Sequence, residues 1–118
     1  MDAPRCDQTE AWTALAGHYE AHGRELDLHG AVARERGRFA SRRVVAQEGF
    51  ADLSKNLVDL ATLKFLVDLA RECRLEERRD AMFAGAPVNS TEGRAVLHTA
   101  LRAPRGQGPF SDEVHGVL

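Results

Sequence analysis

Cysteine, aromatic side chains, unbroken apolar runs and an excess of either charge are all scarce here, and each scarcity excludes a class of protein. Cys6 and Cys73 are the only cysteines and lie far apart, and no basic start leads into an apolar export signal. A reducing, cytoplasmic compartment is therefore expected. No stretch approaches the roughly 18 apolar residues of a membrane helix, so a soluble chain with no membrane partner is expected. Sixteen Lys and Arg stand against 18 Asp and Glu, which leaves no bulk positive charge to attract a nucleic acid. Aromatics make up 6% of the chain, and much of the 43% hydrophobic content is alanine, so any core will be thin. A length of 118 residues allows one compact unit.

What is present is mostly helical periodicity. Asp7 and Glu10 stand in capping-box spacing before a stripe of Trp12, Leu15, Ala16 and Tyr19, which Gly23 ends. From Leu26 to Ala40 the glycines at 30 and 37 break the pattern into short helical pieces. Residues 43–47 and 50–53 have β character around Glu48-Gly49, and a small hairpin is expected there. The clearest helix runs from Asp59 to Arg74, with Leu60, Leu63, Leu66, Val67, Ala70 and Cys73 on one broad face. Leu75 to Phe83 reads as a further helix, stopped by Gly85 and Pro87. Asn89 and Glu92 would cap another to Arg102, with Leu97 and Leu101 on its buried stripe. Residues 103–110 form a loop, and Ser111 and Asp112 cap a helix over 111–118 that the chain is expected to cut short.

Few residues suggest chemistry. His18 and His22 share a helical face and, with Glu25 or His29, could hold a divalent metal, but no fixed third ligand or supporting shell is evident. A solvated polar face is the simpler reading. Gly106-Gln107-Gly108 lacks the third glycine and preceding strand of a dinucleotide loop. Cys6 near a frayed end and Cys73 on a core stripe read as inert thiols. Ser54 and Ser90 lie in no nucleophile elbow, and a cap or turn role suffices for Ser90. Arg94, His98 and Arg102 fall four apart on the expected 89–102 helix, a positive stripe that could meet a phosphate. The favoured reading is structural, with the arginines paired to acidic neighbours and His98 bonded to a backbone carbonyl.

Several runs carry a resemblance. Asp52-Leu53-Ser54-Lys55-Asn56 is similar to the Asp-Tyr-Ser-Lys-Asn segment of glucose-6-phosphate isomerases, and Arg79-Asp80-Ala81-Met82-Phe83-Ala84-Gly85 resembles the family's R-x-A-M-F-x-G. Val88-Asn89 follows in order, and Thr91-Glu92-Gly93-Arg94-Ala95-Val96-Leu97-His98-Thr99-Ala100-Leu101-Arg102 resembles its T-E-G-R-A-V-L-H-x-A-L-R. Upstream, Trp12-Thr13-Ala14-Leu15 with His18, and Arg38-Phe39, keep the same order, so the likeness covers nearly the whole chain. Departures are Leu53 for the usual tyrosine, Asp59 for a threonine or serine, and a less aliphatic 46–51.

The resemblance implies that residues 1–118 form a single unit, mainly α with a short β-hairpin, at the N-terminus of a larger α/β, sugar-isomerase-type enzyme. That enzyme interconverts glucose 6-phosphate and fructose 6-phosphate through a cis-enediol, in glycolysis and gluconeogenesis. The reaction needs a carboxylate base, acid–base groups to open the ring, a cation near the enediolate and a phosphate-binding loop. In the family these lie beyond this stretch, so no catalytic residue, cofactor-binding residue or metal ligand is carried onto it, and no cofactor is implied. The implied partners are the remainder of the isomerase chain, the sugar phosphate bound by the complete enzyme, and a second copy in a homodimer. The alternative is a non-enzymatic helical interaction module, which a stop codon directly after Leu118 would favour.

Overall fold

A computed structural model describes residues 4–117. Its elements are mainly helical, with one two-stranded antiparallel hairpin. Where one compact unit was expected, the described residues divide into two, 5–69 and 70–117 with Pro4. Among the described residues no helix is long and apolar enough to cross a membrane.

In the first unit, α1 (Glu10–Ala21) begins at Thr9, whose side-chain oxygen accepts the Trp12 N–H at 3.1 Å and whose hydroxyl donates to the Cys6 carbonyl at 2.7 Å. Asp7, expected to cap this helix, lies in a 3-10 turn (Cys6–Gln8) and pairs with Arg5 instead. Thr9 is buried, and truncating it leaves the Trp12 amide without its acceptor, while the Cys6 carbonyl keeps only the Thr9 backbone N–H at 3.4 Å. Thr9→Ala is expected to lower unfolding free energy by about 1–2 kcal/mol, read from urea melts.

Two short helices follow, α2 (Leu28–Arg34), capped by Asp27 on the amides of His29 and Gly30, and the single turn α3 (Arg38–Ser41). Strands β1 (Arg43–Ala46) and β2 (Gly49–Asp52) pair Arg43 with Asp52 and Val45 with Phe50. The turn is therefore Gln47-Glu48, one residue earlier than the Glu48-Gly49 expected, and Gln47 takes φ 45°. A two-residue hairpin loop needs such left-handed backbone, which here falls on glutamine. Helix α4 (Leu60–Glu72) is close to the expected 59–74 span, and Asp59 accepts the Thr62 N–H in front of it.

In the second unit, α5 (Leu75–Phe83) has the expected bounds. The helix expected over 89–102 is only α6 (His98–Arg102). Ahead of it Asn89 turns back on itself: its side-chain oxygen accepts the amides of Thr91 and Glu92, and its backbone bridges Arg94. Asparagine thus caps a turn rather than a helix. Helix α7 (Ser111–His115) is closed by Gly116, short of the expected 111–118, and its leading residue is Phe110 at φ 62°.

The core is thinner than composition alone suggested. Ala31 and Ala100 are the buried apolar residues among those described, whereas Arg38, Arg42, Thr9, Ser54 and Ser111 are the buried polar ones. The α1 stripe leaves Trp12 and Tyr19 half-exposed, α4 leaves Leu60, Leu66 and Val67 exposed, and Phe50 of the hairpin is 66% exposed. Leu101, expected on a buried stripe, is also exposed, and the buried member of α6 is Ala100.

Candidate functional site

The most densely bonded constellation is a pair of arginines that sequence reasoning passed over. Arg38 and Arg42 stand one helical turn apart at α3, and their side chains are 3% and 1% exposed. A guanidinium can be buried at tolerable cost only when its N–H groups are matched. Arg38 Nε donates to the Ser54 carbonyl at 2.6 Å, Nη2 to the carbonyls of Asn56 and Val58, each at 2.9 Å, and Nη1 to Glu35 Oε2 at 3.1 Å. Arg42 Nη2 lies 3.0 Å from the same carboxylate oxygen, its Nη1 donates to Ser41 Oγ at 2.9 Å, and its Nε to the Val58 carbonyl at 3.3 Å.

These bonds hold an irregular stretch, 53–58, that has no ladder or helix to take up its carbonyls. The loop is closed at its start by the Leu53 N–H, which donates to the Arg42 carbonyl at 3.0 Å. Hydrogen bonds from the Ser54 hydroxyl and then its amide hold the Asp52 carboxyl below the usual carboxylate range. Ser54 is thereby committed to the loop's shape, while Lys55 and Asn56 are exposed. The arrangement fixes backbone. It pairs no nucleophile with a base.

A second cluster lies between α1 and the start of α4. His18 Nε2 is 3.0 Å from Thr62 Oγ1 and 3.5 Å from Asp59 Oδ1, and the Thr62 hydroxyl donates to Asp59 at 2.8 Å. The His18 side chain is 10% exposed and its ring sits 4.9 Å from that of Phe65. The solvated face favoured for His18 is thus replaced by an inward-facing ring. His22 remains 5.5 Å away ring to ring, His29 and Glu25 are exposed, and no metal-holding group of three or more His, Cys, Asp or Glu occurs among the described residues. Beside the cluster a cavity of about 460 Å³ is walled chiefly by Trp12, Leu15, Tyr19, Leu26 and Leu57.

The Thr62 amide is the main reason the Asp59 carboxyl lies below its usual range; burial opposes it, and the Thr62 hydroxyl and His18 assist. A carboxyl lowered in the folded state stabilises fully above its unfolded pKa of about 3.9 and loses that contribution as pH falls from there through the folded value. Asp59→Asn is therefore expected to flatten the fall in melting temperature below about pH 4, relative to the parent. Asp52 titrates in the same window in both proteins, so the difference isolates Asp59.

The remaining candidates are not brought together. Arg94 lies in the 89–94 turn, outside the helix that carries His98 and Arg102, so the expected three-residue stripe is not formed. All three are exposed. The carbonyl bond foreseen for His98 has its counterpart at His115, whose Nε2 lies 3.2 Å from the Ala103 oxygen. Ser90 lies in the Asn89 turn, Gly106 and Gly108 sit at left-handed φ in a loop, and Cys6 and Cys73 are free thiols.

A family model described as phosphoglucose isomerase matches residues 52–117, starting at the clamped loop. The chain belongs to the phosphoglucose isomerase family. It is 61% identical over 118 residues to a glucose-6-phosphate isomerase of Leptothrix cholodnii, covering all of this chain and 22% of that protein. Proteins of the same name from Methylibium petroleiphilum and Polaromonas naphthalenivorans are each 54% identical, over 97% and 88% of this chain and 21% and 20% of their own lengths. The chain thus spans about a fifth of the curated relatives it matches. Besides Arg38-Phe39 in the family likeness, the sequence signal for the clamp is the arginine-rich run 34–43, in which residues 38 and 42 share a helical face.

Proposed function

We propose that residues 1–118 act together as the N-terminal scaffold segment of a glucose-6-phosphate isomerase, the enzyme that interconverts glucose 6-phosphate and fructose 6-phosphate through a cis-enediol. The observation that carries this reading is 61% identity along the whole chain to 22% of a protein so named. In this reading the segment supplies no catalytic group, cofactor site or metal ligand. The engagement of its clustered polar groups supports that role: Arg38 and Arg42 are spent on carbonyls and Glu35, and His18 on Thr62.

The partner is the remainder of the isomerase chain, which supplies the sugar-phosphate site. Exposed apolar side chains on α1, α4 and the hairpin support such a partner, since a hairpin alone is marginal in water and apolar surface of this extent calls for cover. The reading extends to a cytoplasmic, homodimeric enzyme. Purified, the 118-residue chain is expected to show no interconversion of the two hexose phosphates above background in a coupled assay. Turnover that persists after host isomerase has been rigorously removed overturns the proposal.

A further inference from the structure

We draw no further inference here: the strongest candidate, the apolar cavity of about 460 Å³ between α1 and the Leu57–Thr62 stretch, has half-exposed walls at Trp12 and Tyr19 and a polar corner, His18, already bonded to Thr62, and nothing in the structure shows what covers it.

Discussion

Replacing Arg38 with methionine is expected to cost about 1.5–3 kcal/mol of unfolding free energy, the range for losing hydrogen bonds from a charged donor, because the Glu35 carboxylate left behind is 41% exposed and keeps Arg42. The side chain is 3% exposed and satisfies three carbonyls as well as Glu35. Methionine fills much of the volume but leaves the oxygens of Ser54, Asn56 and Val58 without that donor, and Glu35 with only Arg42. Lysine is expected to rescue little, because one ammonium cannot reproduce the planar fork that reaches several carbonyls at once. Arg43→Ala is the control. Arg43 is exposed and lies 5.3 Å from the centre of the Phe39 ring, a contact worth about 0.5–1 kcal/mol at such a site. Urea melts give the energies, and amide exchange at Leu53, whose N–H closes the loop on Arg42, reports whether the loop opens. A loss under about 1 kcal/mol for Arg38→Met, with Leu53 still protected, shows that the clamp does not hold the loop.

The elements legible in the sequence were those whose signals agree with one another. Helix α5 runs from a charged first turn to a glycine stop, and α4 joins a broad apolar face to Asp59 as its cap. Where one residue type serves two structures, sequence alone does not choose between them. Asn89 and Glu92 have the spacing of a helix cap, but the Asn89 side chain closes its own turn and Gly93 at φ 63° completes it, so the helix starts only at His98. Asp7 and Thr9 are both good caps, and Asp7 was already taken by Arg5. The arginine clamp was the least legible. Beside Glu35 and Ser41, its partners are backbone carbonyls, which leave no trace in residue type, and arginine is seldom fully buried unless paired. The exposed apolar faces have a different cause: periodicity tells which side of a helix is apolar, not whether anything lies against it.

Gly85→Ala is expected to be the other costly substitution, at about 2–5 kcal/mol. Helix α5 ends in a Schellman arrangement, with the Ala86 N–H donating to the Ala81 carbonyl at 2.9 Å and the Gly85 N–H to the Met82 carbonyl at 3.1 Å. This closure places Gly85 at φ 75°, the left-handed region where a Cβ costs roughly 1–2 kcal/mol. A Cβ there would also run into the ring of Phe110, the residue that leads into α7. Phe110 is 41% exposed, so its ring can yield through a rotamer change or a shift of the loop before α7, an overpacking cost of about 1–3 kcal/mol. Two further variants separate these contributions. Gly93 has φ 63° and open space where its Cβ would lie, so Gly93→Ala is expected to show the conformational cost alone. Adding Phe110→Ala to Gly85→Ala is expected to recover the steric part, a coupling that a double-mutant cycle measures directly. Equal losses at the two glycines, with no coupling between positions 85 and 110, would show that the Phe110 ring does not lie against the end of α5.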